Sequence, residues 1–147
     1  MTERFHLERV GAEDPADENQ VSGYGKLELF QSDVEFRFNT EDISLEEAEL
    51  YIQDVLNHLP DYTINDICSQ AYKWKTEKMS SDTADYPAGL AEAEGRGVLA
   101  YMAVDEVELY RNPADPKDKI LGAILGGSTD WDTENGMEIV MLGHQVL

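Results

Sequence analysis

Asp130-Trp131-Asp132-Thr133-Glu134-Asn135-Gly136 sets three acids at alternate positions ahead of an Asn-Gly pair, the arrangement in this chain that most resembles a cation-binding loop. Alternating acids ahead of a glycine are what a hard cation such as calcium requires of a binding loop. The spacing does not complete one: glycine falls at the seventh position where the sixth is needed, and the twelfth is Met141, which cannot supply a bidentate carboxylate. The stretch reads instead as an acidic hairpin tip, with Asn135-Gly136 making a tight turn. Trp131 beside these acids is either a core anchor or an exposed contact residue, and alternation does not choose between them.

The other reactive side chains stand apart from one another. His6, His58 and His144 have no metal-ligand spacing, and His58 falls near the end of a predicted helix, where an imidazolium complements the dipole. Cys68 is the single cysteine, so no internal disulfide can form, and its apolar helical neighbours predict a buried structural thiol. No serine sits in a Gly-x-Ser-x-Gly elbow. Gly122-Ala123-Ile124-Leu125-Gly126-Gly127 lacks the Lys-Ser/Thr of a phosphate loop, and its Gly126-Gly127 reads as a bulge or bend in a strand. Carboxylates are so frequent that two within reach of each other carry no information, because a catalytic acid needs a perturbed setting. No catalytic residue, metal or cofactor is expected, and the chain reads as a binding protein rather than an enzyme.

The elements that must position these residues follow from periodicity. A short strand is expected around Phe5–Val10, then an exposed acidic loop over 11–20. Tyr24–Phe30 and Val34–Asn39 alternate apolar with polar around a turn at Gln31-Ser32-Asp33, the pattern of strands with one face on a core and one in water. Ser44 with Glu47 forms a capping box, and Leu45, Ala48, Ile52, Val55 and Leu59 follow at helical spacing, with Glu46, Glu49 and Asp54 expected on the exposed side. Pro60 ends that helix. Thr63 with Asp66 resembles a second cap, and Ile64, Ile67, Ala71 and Trp74 form the stripe of a second helix reaching Met79. Lys73, Lys75 and Lys78 fall in its last turns, where cations suit the dipole. Residues 80–97 read as a linker in which Gly95-Arg96-Gly97 turns into a strand. Val98–Tyr110 reads as a strand bent near Asp105, Arg111–Asp118 as a loop, and Lys119–Trp131 and Met137–Leu142 as a hairpin, with His144–Leu147 extending or following its second strand. Strands, then two helices, then strands predict one α+β domain over 1–147: an antiparallel sheet with two sequential helices packed on one face.

Charge narrows the function classes. Among 147 residues, 31 are acidic and 11 basic, a formal net charge of −20. Direct binding to DNA or RNA is disfavoured, since no basic stripe exists to neutralise phosphates. No apolar run is long enough to span a membrane and the opening residues lack a signal peptide's pattern, so a cytoplasmic location is expected. The acidity is read either as a solvated surface that maintains solubility or as a surface that meets a basic protein partner.

The motif Asp132-Thr133-Glu134-Asn135-Gly136 followed by Met137-Glu138-Ile139-Val140, the Tyr24-Gly25-Lys26-Leu27 start and the Ser44–Leu59 helix carry a resemblance over residues 21–147. The chain resembles a group of small bacterial α+β proteins of uncharacterised function, whose last hairpin holds an Asp-x-Glu-(His/Asn)-Gly turn. Some members of such groups are immunity proteins of secreted toxins. The resemblance implies a compact fold, no established catalysis, and a partner such as the nuclease domain of a toxin. Contact acids are expected on the first helix (Glu46, Glu49, Asp54) and at the hairpin tip (Asp130, Asp132, Glu134, with Trp131). Two alternatives stand beside this reading: a DNA-mimicking inhibitor of a nucleic-acid-binding enzyme, and a cryptic metal-dependent enzyme.

Overall fold

The structure is a computed structural model that describes residues 5–79, 86–111 and 120–147, with the backbone alone of Asp14, Asp17 and residues 133–135. Residues 80–85 of the linker read over 80–97, most of the Arg111–Asp118 loop and Lys119 lie outside the described residues. Among the described residues, seven strands form one sheet in chain order: β1 (Glu8–Asp14), β2 (Asp17–Leu27), β3 (Ser32–Asn39), β4 (Met102–Arg111), β5 (Leu121–Thr129), β6 (Asp132–Leu142) and β7 (Gln145–Val146). Between β3 and β4 the chain makes α1 (Leu45–Asp54), a 3-10 turn (Leu56–His58), α2 (Asp61–Lys78) and a 3-10 segment (Gly95–Tyr101). The architecture is α+β, as the order of elements predicts. The sheet is mixed rather than wholly antiparallel, because β3 and β4 run parallel through Glu35↔Glu106, Phe36↔Val107 and Arg37↔Glu108. Parallel neighbours require a long crossover, and both helices lie within it.

One sheet face is apolar. Val34, Phe36 and Phe38 of β3, Val107 and Leu109 of β4, Ala123 and Leu125 of β5, and Met137 and Met141 of β6 are buried in one cluster with Ala48 and Ile52 of α1 and Ala71 of α2. Alternation in the sequence predicts this face correctly for β3. The bend near Asp105 is also found. Val104 pairs with Gly127 and Glu106 with Gly126, so Asp105 is the extra residue of a bulge opposite the Gly126-Gly127 step.

Several local expectations are corrected. The turn of the first hairpin falls at Glu28–Gln31 rather than Gln31-Ser32-Asp33, and Gly95–Tyr101 is a 3-10 segment, so the strand expected from Val98 starts at Met102. Residues 11–20 are not a loop: β1 continues to Asp14 and turns back through Pro15 and Ala16 into β2. An edge strand exposed on both sides shows no hydrophobic alternation, so backbone pairing, invisible to periodicity, decides it. α1 stops at Asp54, and the tighter turn at Leu56–His58 lets Leu56 point into the core. From the same turn, Asn57 reaches the β2–β3 loop, accepting from Glu28 N and donating to Lys26 O. α2 begins after Pro60, not at a Thr63 cap; Thr63 is buried and donates its hydroxyl to His144 O at 2.7 Å. Finally, Asn135-Gly136 is not the hairpin turn. Thr129 pairs with Asp132 across Asp130 and Trp131, and the four residues 133–136 form an irregular part of β6 before Met137 pairs with Gly127. Burial of a large indole outweighs the roughly 1 kcal/mol of strand and turn preferences.

The capping box is intact, with Ser44 Oγ accepting from Glu47 N at 3.1 Å and Glu47 Oε1 accepting from Ser44 N at 3.2 Å. Ser44→Ala is expected to cost about 1 kcal/mol, read as a lower midpoint in urea at unchanged slope.

Candidate functional site

The polar halves of the alternating strands meet on the sheet face opposite the helices. Register places Tyr24, Glu35, Glu106, Gly126 and Glu138 in one row across β2–β6, and Ser22, Arg37, Glu108, Ile124 and Val140 in the next. At the centre, Arg37 Nε meets Glu13 Oε1 at 2.8 Å and Glu35 Oε1 at 2.9 Å, and its terminal nitrogen meets Glu106 Oε2 at 3.2 Å. The Arg37 hydrogen bond holds the Glu35 carboxyl below its usual range against a smaller opposing effect of burial. The same bond raises the Arg37 guanidinium. A carboxylate held ionised in this way suits charge pairing rather than proton donation.

Three carboxylates, Glu13, Glu35 and Glu106, thus meet one guanidinium, with Glu108 its register neighbour on β4 and Glu138 farther along the row on β6. Glu106, Glu108 and Glu138 are exposed. Gly126, between Glu106 and Glu138, leaves a shallow hollow of about 260 Å³ over β4–β6. A larger recess of about 650 Å³ opens at the adjoining end, where Glu41, Asp42 and Glu108 face Arg37, Tyr110 and Arg111. There Arg111 donates to Asp42 O at 2.9 Å and to Glu47 Oε2 at 2.9 Å, and the latter bond lowers the Glu47 carboxyl. On the β1–β2 flank, Arg9 stacks 4.3 Å over the Tyr24 ring and Lys26 pairs with Glu28. Among the described residues, no group of three His, Cys, Asp or Glu is placed to hold a metal ion. No described helix is long and apolar enough to cross a membrane.

The residues singled out from sequence are distributed otherwise. Glu46 and Asp54 are exposed on α1, on the helix side of the sheet. Glu49 is not on that exposed side. It is 7% exposed, its Oε2 accepts from Leu7 N at 2.7 Å, and His6 Nδ1 lies 3.3 Å away. With Gln53 Oε1 accepting from Phe5 N, it fastens residues 5–7 against α1, a contact across more than 40 positions that helical periodicity cannot anticipate. Asp130 is exposed at the β5–β6 turn and Asp132 is half-buried; Glu134 belongs to β6, with its side chain outside the described residues. Trp131 is a core anchor, 2% exposed, its ring meeting Trp74 edge-on at 5.6 Å. None of the seven belongs to the open-face row. Its signal was present in sequence as the polar positions Glu35, Arg37, Glu106 and Glu108, but only strand register brings them together. Cys68 is buried, and burial pushes its thiol up, as expected of a structural cysteine.

No protein-family model, curated protein or solved structure matches this chain.

Proposed function

We propose that this chain is a protein-binding module whose open sheet face receives a basic protein, and that it serves as an immunity protein covering the cationic surface of a toxin nuclease domain. The observation that carries this reading is the carboxylate row Glu35–Glu106–Glu138 with Glu13 and Glu108 beside it, on the sheet face without helices. Nucleases present positive surfaces to phosphates, and a complementary acidic face accelerates encounter and blocks that surface. The strands provide a rigid base for these side chains, and Arg37 reduces repulsion among the inner ones while Glu108 and Glu138 stay exposed to a partner. The resemblance of residues 21–147 to a group that includes immunity proteins supports the same reading.

The test uses catalytically inactivated toxin nuclease domains of pI above about 9 as probes. Association is expected to slow about tenfold or more between low and physiological salt. The triple variant Glu106→Lys, Glu108→Lys, Glu138→Lys is expected to slow it by roughly a hundredfold at low salt, against a few-fold for Glu46→Lys with Asp54→Lys. Equal losses from the two sets would assign the effect to net charge alone, and affinity independent of ionic strength would refute the electrostatic basis altogether.

A further inference from the structure

Lys75 lies in the last turn of α2, as its position in the sequence predicts, but its side chain turns inward. It is 1% exposed on the inner side of α2, and it takes part in no ion pair among the described residues. Its ammonium is met instead by main-chain carbonyls, those of Leu90 at 2.9 Å, Ala91 at 3.3 Å and Ala93. The Tyr72 ring lies 4.9 Å away. An ammonium carries three donors, and these carbonyls satisfy them.

The segment that provides the carbonyls has few other anchors. Of residues 86–95, Leu90 alone is fully buried, while 87–89, 91, 92, 94 and 95 are exposed. The remaining described ties are the half-buried Tyr86 and Ala93 side chains against the core, the Tyr101 hydroxyl donating to Ala88 O at 2.9 Å, and local turn bonds. Its far end, Glu94 and Gly95, borders a hollow of about 380 Å³ that Cys68 and Tyr72 also line.

We propose that residues 86–95 form a strap that the Lys75 ammonium locks onto α2, and that loss of this lock opens the strap as a unit and uncovers Cys68. Without the ammonium, inward-facing carbonyls lose their donor, and leaving a buried acceptor unsatisfied costs more than letting it turn to water. A segment with one fully buried apolar side chain and two half-buried ones has few apolar contacts, and such segments open below the free energy of global unfolding. The inference is independent of the open acidic face, since it rests on hydrogen bonds on the other side of the sheet.

Cys68 is the single cysteine, so its alkylation by iodoacetamide in the whole protein reports the opening. Lys75→Met is expected to raise the alkylation rate about tenfold or more, with far-ultraviolet circular dichroism unchanged. Lys73→Met, an exposed lysine on the same helix, is expected to react like the native chain. In the native chain, the urea dependence of alkylation is expected to be much shallower than that of global unfolding, and to coincide with that of amide exchange at Leu90 and Ala93. A folded Lys75→Met protein with an unchanged rate overturns the proposal. So does native Cys68 reacting only with the full urea slope of global unfolding, a measurement that decides the matter even if the variant does not fold.

Discussion

Gly127→Ala is expected to lower stability by about 3–5 kcal/mol, at the top of the range for single substitutions and enough to unfold a marginal domain. A Cβ built at Gly127 would lie 1.8 Å from the Ala103 carbonyl oxygen and 2.8 Å from Val104 Cα. Both are backbone atoms of β4, so no side-chain rotation relieves the overlap; the strands must separate where their pairing is central to the sheet. The cause is the bulge at Asp105, where the register of β4 against β5 shifts between Val104 and Glu106. Gly126 provides the contrast. A Cβ there meets Glu106 Cγ at 3.4 Å and Oε1 at 3.5 Å, atoms of a flexible side chain. Gly126→Ala is therefore expected to cost less than about 1 kcal/mol. Urea denaturation of the two variants side by side checks this, and equal losses would show that the β4–β5 approach is not what requires glycine.

Trp131→Ala is expected to cost about 3–5 kcal/mol, as for other large core truncations, because it empties the space against Trp74. Trp131→Phe should cost only about 1–2 kcal/mol. Trp131 Nε1 has no hydrogen-bond partner among the described residues, so the phenyl ring sacrifices volume and no bond. Neither substitution should alter how quickly the folded protein associates with a basic nuclease domain. A Trp131→Ala variant of native stability that binds poorly would return this residue to the contact surface and contradict its burial. The expected pairing of results separates a residue that maintains the β5–β6 turn from one that meets a partner.

The sequence contains several features that survive folding unchanged, and they share a cause. The capping box at Ser44 and Glu47, the helical stripe through Ala48 and Ile52, the alternation of β3, and the bend at Asp105 opposite Gly126-Gly127 all depend on residues close in the chain or on a one-sided apolar pattern. Burial of that pattern is the dominant driving force, so α+β architecture with sequential helices over one sheet face was legible before any register was known. Where competing local preferences were small, tertiary packing overruled them. The Asn135-Gly136 turn yielded to burial of Trp131, and an acidic stretch without periodicity became the edge strand β1 because β2 offered it a backbone partner.

Side chains of the same type also took opposite fates. Glu46 stays exposed while Glu49, three residues on, is buried by the Leu7 amide; Lys73 is exposed while Lys75 is enclosed by three carbonyls. Composition specified that this protein would carry a large excess of negative charge, for each carboxylate is ionised wherever it stands in water. Only the pairing of β3 with β4 and of β5 with its neighbours gathered part of that excess into one row around Arg37, because strands distant in sequence become adjacent through backbone hydrogen bonds that no local pattern encodes.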